Sequence, residues 1–493
     1  MEIVSGLPLK YLRLESNSSP LNMSQVIVFN RKNNGEACVA PSLNLIKELA
    51  FAQLRQIKAL RQRLVESPFQ FANPVWIDDP HMDIHYHISQ STIDLNASAP
   101  EACTQMLKIA ASLTATQFDR GSPLWHLKLL TFNDHQEFTL ICVAHRALLC
   151  RLQKSLYDAL FPANIQSSPL KDIESIPINC HKTNQQAQAG WLPESIPSRN
   201  ELLKLAKTDW LSLPKQARVF SSMVVSRWAK HKLAKAIVHK SDLPPHWISA
   251  PHSIFNQPTG KNRDLAYVAL PTQTSRQLLR AYKGFEIRDL VLVLLSRTLK
   301  QFLTDIDHHT KDELVALVQC NSLSSEPCQW NEKSLDEYQL LRLPTNAVNP
   351  EEQLVSILDR RNTAREYSML FEKQTDLGLM PSSVLSWLIH NYNKYGIHHF
   401  HKPICNLVIS EQPPSQGALE FNQYKRVTTA HFASLLPNIG LHVSYWLQND
   451  SACIAFTSGS NEFAAADLAQ TFQKSIDQLQ QTKRHGTNTR SQR

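Results

Sequence analysis

The stretch VAHRALLC, Val143–Cys150, decides how this chain is read. It closes Phe138–Val143, an apolar run that reads as a buried strand. The segment after it, RALLCRLQKSLYDALF, has the spacing of a helix. His145 and Arg146 therefore stand side by side where a strand gives way to a helix, with Cys150 four residues past the Arg. A neutral imidazole can take a proton in a reaction, whereas a guanidinium, with a pKa above about 12, cannot act as a base at neutral pH.

The surroundings narrow the possibilities. With 493 residues, 42% of them hydrophobic, the chain can build two or three domains with sizeable cores. Its apolar runs, such as Leu290–Leu295, are far shorter than the roughly 20 residues of a spanning helix. The N-terminus MEIVSGLPLKYLRLESNSS lacks the basic and apolar regions of a signal peptide. The nine Cys form no CxxC pair and no zinc spacing, which fits reduced thiols in the cytoplasm. A net charge of +8 suits an anionic membrane surface, a phosphorylated cofactor or simply a solvated basic face. No concentrated basic stripe or module points to nucleic acid. Glycine is scarce, 12 residues where average usage gives about 35, so tight turns use other chemistry or have been lost.

Strand-like and helix-like segments alternate from residue 1 to 161. Met23–Phe29 reads as a strand, Ser42–Leu64 as one helix, and Glu101–Gln117 as a second amphipathic helix. LWHLKLLTF and EFTLICVAH form an antiparallel pair across the turn NDHQ. Residues 162–215 read as a linker, polar and rich in Pro, Ser, Gln and Asn as far as Pro197 and helix-like after it. A second α/β half, 216–480, opens with the basic amphipathic segment QARVFSSMVVSRWAKHKLAKAIVHK, which suits an anionic membrane surface or a packed helix. It continues through the strand DLAYVAL, the helices TQTSRQLLRAY and IRDLVLVLLSRTLKQFL, several further strands and a closing helix. Residues 481–493 read as a disordered basic tail.

The order of features from Leu7 to about Leu479 resembles the wax ester synthase/diacylglycerol acyltransferase family. PLKYLRLES and MSQVIVF are similar to its opening strand region. FANPVWIDDPHMDIHYHI resembles its P-x-W-x-D-D-P-x-F-D-L-x-Y-H-V segment. Asp119, Arg120, Pro123, Leu124 and Trp125 match its D-R-x-x-P-L-W stretch. NQPTGKNRDLAYVAL resembles the start of its second half, and CNLVISEQPPS stands where it has N-x-V-x-S-N-V-P-G-P. The resemblance implies a mixed α/β fold of two chloramphenicol-acetyltransferase-like domains with a tunnel between them. It also implies transfer of a fatty acyl group from acyl-CoA to a long-chain alcohol or diacylglycerol, giving wax ester or triacylglycerol. Acyl-CoA is then a co-substrate, no cofactor is needed, and the location is the cytoplasm, with peripheral contact at the inner membrane face or a lipid droplet.

The family places HHxxxDG at the centre of the site. Its second His is the base, its Asp pairs with an Arg, and its Gly permits a tight turn. Here His145 keeps the first position, while Arg146, Cys150 and Arg151 replace the second His, the Asp and the Gly. The Asn-Asp pair that often opens the buried helix of the second half is Arg288-Asp289. Asn406 and Ser410 are kept, but Glu411 and Pro414 stand for the family's Asn and Gly after that Ser. Pro123, Leu124, Trp125, Asp289, Asn406 and Ser410 are the expected substrate-binding or tunnel-wall positions. The matches lie in fold-forming segments and the losses in motifs that touch substrate. This predicts an acyltransferase with an impaired catalytic centre. Two alternatives stay open: an active enzyme using His145 or positioning alone, and a non-catalytic lipid-binding or partner protein. Two histidine clusters are set aside: His308-His309 lies in a polar loop with Asp312 one residue too close for the HHxxxDG pattern, and His398-His399 with His401 has no carboxylate or Cys at metal-partnering spacing.

Overall fold

A computed structural model of the chain describes residues 2–31, 40–67, 73–93, 99–132, 137–163, 250–282, 285–308, 312–319, 338–345, 349–370, 400–421, 424–448 and 451–490, with scattered positions elsewhere. These form two compact units. One gathers the described residues of Met1–Ala217 and Ser415–Ala430, the other those of Arg218–Leu379, Leu388–Pro414 and His431–Arg493.

The first unit runs β1 (Glu2–Ile3), α1 (Gly6–Leu14), β2 (Asn22–Arg31), α2 (Leu43–Gln56), β3 (Gln62–Val65), β4 (Val75–Asp78), α3 (Ile84–His87), β5 (Ile88–Ile93), α4 (Ala99–Ala115), β6 (Trp125–Phe132), β7 (Glu137–His145), α5 (Arg146–Leu152) and α6 (Leu156–Leu160). The second contributes β8 (Asp264–Leu270), α7 (Thr272–Ala281), α8 (Ile287–Asp305), β9 (Val315–Gln319), β10 (Tyr338–Arg342), α9 (Pro350–Leu370) and β11 (Leu407–Gln412). The chain then supplies β12 (Glu420–Phe421) and β13 (Tyr424–Phe432) to the sheet of the first unit. It ends with β14 (Leu441–Gln448), β15 (Ser451–Ser458) and α10 (Ala465–Arg490) in the second.

The large sheet of the first unit has the order β12-β13-β2-β7-β6-β5, and β1, β4 and β3 form a small antiparallel sheet. Strand β7 is central and buried from Phe138 to His145, which is why its sequence is almost continuously apolar. It pairs antiparallel with β2, placing His145 opposite Asn22, and with β6, placing Ala144 opposite Trp125. The second sheet has the order β10-β9-β11-β14-β15-β8, with β11 parallel to both neighbours. Leu407 and Ile409 of β11 point into the core built by α8, whose Leu290–Leu295 are fully buried. A helix enclosed on all sides needs no amphipathic stripe, and this one has none over that run.

Several expectations are revised. PLKYLRL, taken with the opening strand region, belongs to helix α1. The single helix expected over Ser42–Leu64 ends at Gln56, because Ile57 turns extended and Gln62–Val65 pairs with β4. The helix expected after His145 is two helices. Gln153 takes a left-handed conformation (φ 50°) that ends α5, and the Ser155 hydroxyl accepts from the N–H of Asp158 to start α6. Helix α10 continues to Arg490, through most of the expected tail. Ser415–Ala430, assigned by sequence to the second half, joins the first unit instead. Strand β13 there was not anticipated, although YKRVTTAHF is rich in β-branched and aromatic residues. The turn NDHQ and most of 164–249, including the bulk of the linker and basic segment, lie outside the described residues.

Asp158 and Gly417 secure this late segment. The Asp158 carboxylate accepts from Ser415 Oγ and from the N–H of Gly417 (2.7 Å), and Tyr157 Oη donates to the carbonyl of Ala418. A Cβ on Gly417 would stand 2.5 Å from the Tyr157 ring and 2.9 Å from the Phe161 carbonyl. Gly417→Ala is therefore expected to cost about 1–3 kcal/mol by overpacking. Urea unfolding followed by tryptophan fluorescence checks this; an unchanged midpoint would mean that the segment gives way.

Candidate active site

His145 is the last residue of β7 and the N-cap of α5. Its own N–H donates to the Leu124 carbonyl (3.0 Å), and the N–H of Arg146 donates to Leu21 (2.9 Å). Its side chain turns back on the helix, and Nδ1 accepts from the N–H of Ala147 at 3.1 Å. An acceptor Nδ1 carries no hydrogen, so the neutral ring is protonated at Nε2. Nε2 faces Glu15 Oε1 at 3.6 Å, and neither atom has a hydrogen-bond partner among the described residues. Burial lowers the imidazole pKa to about 4; Glu15 opposes the shift, while Arg120 and Arg146 add to it. His145 is thus neutral at pH 7, with its one basic lone pair held by the backbone.

The positions flanking it have found partners of other kinds. Arg146 is buried, with its guanidinium carbon 4.4 Å from the centre of the Tyr11 ring on α1. Cys150 is buried on α5. Arg151 donates to Gln62 Oε1 (2.8 Å), pairs with Glu2 and lies over the Trp76 ring at 4.8 Å. It ties α5 to the small sheet, which a glycine could not do. Arg120 bridges Glu15 (2.9 Å), Glu66 and the Leu12 carbonyl (2.9 Å). Glu15 and Glu66 were not singled out from sequence, since an acid in a loop gives no sign of its distant partner.

The PLW stretch braces the same junction. Pro123, Leu124 and Trp125 are buried. Trp125 Nε1 donates to the Leu60 carbonyl (2.7 Å), and its ring stacks on His87 at 4.6 Å. His87 Nδ1 donates to the Trp125 carbonyl at 2.7 Å. Burial lowers the pKa of His87 to about 4.

In the second unit Asp289 completes a capping box at the start of α8, accepting from the N–H of Glu286 (2.9 Å), and it pairs with Arg361 at 2.8 Å. Burial pushes its carboxyl pKa up, against that backbone bond and Arg361. Arg288 beside it makes a two-pronged bond to Glu411: Nε to Oε2 at 2.7 Å and Nη2 to Oε1 at 2.8 Å. Tyr445 Oη reaches Glu411 Oε2 at 3.4 Å. Two departures read separately from the sequence are therefore one interaction. Asn406 ties the Pro251–Asn256 segment to β9: the two hydrogens of Nδ2 are shared among Pro251 O, Ser253 Oγ and Asn256 Oδ1, and Oδ1 accepts from the N–H of Val315. Ser410 Oγ lies 2.9 Å from His442 Nε2, a partner that sequence spacing did not reveal. No group of three or more His, Cys, Asp or Glu that could hold a metal occurs among the described residues, and His309, His398 and His399 lie outside them.

Comparison with known proteins follows the same lines. The family model described as the wax ester synthase/diacylglycerol acyltransferase catalytic domain matches residues 4–291, more than half of the chain. A Mycobacterium tuberculosis protein named as a diacylglycerol O-acyltransferase is 21% identical over 483 residues, covering 93% of this chain and 86% of its own. A second M. tuberculosis protein so named is 26% identical over 211 residues, 43% of this chain and 69% of its own. Among solved structures, the wax ester synthase/diacylglycerol acyltransferase from Marinobacter aquaeolei VT8 aligns with a TM-score of 0.60 at 16% identity, covering 98% of this chain and 100% of that one. The first condensation domain of the CDA synthetase aligns at 0.54 and 10% identity, covering 98% and 96%. The fold class is accordingly mixed α/β, with chloramphenicol-acetyltransferase-like units.

Two outcomes follow from the geometry. Removing one partner of the buried Arg288–Glu411 pair, by Glu411→Asn or Arg288→Asn, is expected to cost about 3–5 kcal/mol, and the double variant less than the sum of the two. A double-mutant cycle that finds the costs additive would contradict the pairing. For His145, the folded pKa of about 4 lies below its ordinary 6.5, so the unfolded chain takes up the proton first. That contribution is complete above pH 6.5 and is lost as pH falls to about 4, up to about 3 kcal/mol. His145→Asn keeps a capping acceptor but cannot titrate. Its melting temperature should therefore match wild type at pH 7.5 and fall less steeply between pH 6.5 and 4.5.

Proposed function

Because the chain belongs to the wax ester synthase/diacylglycerol acyltransferase family, we propose that it handles long-chain acyl groups in O-acyl transfer from acyl-CoA to an alcohol or diacylglycerol, with transfer through the family's motif impaired. The state of the motif carries this reading. The base position is Arg146, a permanent cation seated on Tyr11. The remaining imidazole, His145, has its lone pair on Ala147. General-base assistance contributes about 10²–10⁴ to such a step, and neither side chain is arranged to provide it. The interactions now made by Arg151 with Glu2 and Gln62 support a stable fold around the altered motif rather than a collapsed one. Contact with an anionic membrane or lipid-droplet surface, where such apolar substrates collect, is part of the same proposal. No helix among the described residues is long and apolar enough to cross a membrane.

Wild type is compared with the triple variant Arg146→His, Cys150→Asp, Arg151→Gly, supplied with palmitoyl-CoA and either hexadecanol or dioleoylglycerol. Ester product and free CoA thiol are the readouts. The triple variant is expected to exceed wild type by about 10²-fold or more. Wild-type turnover equal to or above that of a folded triple variant overturns the impairment.

A further inference from the structure

The sheet of the second unit has two unlike faces. Leu407 and Ile409 of β11, with Leu441, Val443 and Tyr445 of β14, enter the helix-covered core. On the other face alternate residues place Ser410 and Gln412 beside His442 and Ser444, all buried. His442 Nδ1 lies 2.8 Å from the Ser434 carbonyl, an atom that only accepts, so Nδ1 carries the ring hydrogen. The basic lone pair is then on Nε2, and it meets Ser410 Oγ at 2.9 Å. Gln412 Nε2 donates to the same Oγ at 3.0 Å, which leaves the hydroxyl hydrogen directed at His442. The Ser434 hydroxyl, on the residue that orients the ring, is buried without a hydrogen-bond partner among the described residues.

A hydroxyl bound to the free lone pair of an imidazole, whose other nitrogen is held by a third group, is the arrangement that activates a serine nucleophile. His145 lacks this arrangement, because its lone pair faces its own backbone. We infer that Ser410 and His442 form a nucleophile–base pair that accepts a long-chain acyl group as an ester on Ser410. The inference rests on the acyl-handling reading above. Ser410 Oγ attacks the carbonyl carbon of an acyl thioester while its proton passes to His442 Nε2. The C–S bond breaks, and the thiol leaves with that proton. An alcohol then takes the acyl group by the reverse sequence, its proton passing through His442 back to Ser410 Oγ.

The test uses the full chain with two probes, a long-chain alkyl fluorophosphonate and palmitoyl-CoA, with adducts located by peptide mass spectrometry. Wild type is expected to carry both adducts on Ser410. Ser410→Ala should lose them, and His442→Gln should form them about 10²-fold more slowly or worse. Thermal melts establish that each variant is folded. Ser410→Cys, which keeps the packing, should move the acyl group to sulfur, where neutral hydroxylamine releases it. No adduct on Ser410 in folded wild type, or adducts unchanged in Ser410→Ala, overturns the pair. Alcohol acylation measured in parallel separates this inference from its premise. Transfer undiminished in Ser410→Ala sinks the nucleophile and leaves the family function standing, whereas an acyl-Ser410 that passes to no alcohol does the reverse.

Discussion

A neutral imidazole has one basic lone pair, and at His145 it is held by the N–H of Ala147. The junction between β7 and α5 depends on that bond. It caps a helix of seven residues that has few other ways to satisfy its first N–H groups. It also fixes the ring so that Nε2 points to Glu15, and through Glu15 to Arg120 and the start of the chain. Burial keeps the ring neutral, with Arg120 and Arg146 adding to its effect against the opposing pull of Glu15. The residue that looks most like a surviving catalyst is thereby committed to holding the backbone in place.

Four of the residues that depart from the family pattern, Arg146, Arg151, Arg288 and Glu411, make specific side-chain contacts. Arg146 lies on Tyr11, Arg151 reaches Glu2, Gln62 and Trp76, and Arg288 and Glu411 hold one another in a two-pronged bond. A lone guanidinium or carboxylate buried in such places would be strongly destabilising. Paired, they are compatible with a well-packed fold. These contacts belong to one well-packed fold, and Ser410 with His442 is a hydroxyl–imidazole pair within it.

Much of the scaffold was legible because it depends on pattern. The antiparallel pair β6–β7, the helix α4, the buried helix α8 and the strands β8, β9, β11, β14 and β15 follow from runs and alternations of apolar residues. Errors arose where the same pattern serves two structures. The apolar residues of Ser42–Leu64 keep helical spacing past Gln56, yet Gln62–Val65 is a strand because β4 is there to pair with it. Gln153 ends a helix that composition would continue, through a backbone conformation no side-chain pattern displays. Of the site, resemblance directed attention to His145, Arg146, Cys150 and Arg151, but nothing in the sequence showed the partners of these side chains.

By itself the sequence determined the family, much of the order of elements and the presence of a guanidinium at Arg146. These rest on residue identity, and a guanidinium is no base wherever it lies. Tertiary structure alone decided which nitrogen of His145 carries its proton, that Arg288 and Glu411 are one pair 123 positions apart, and that Ser410 faces His442. The physical reason is that a hydrogen bond or ion pair depends on distance and direction between two groups. Chain separation says nothing about either until the sheets bring the strands together.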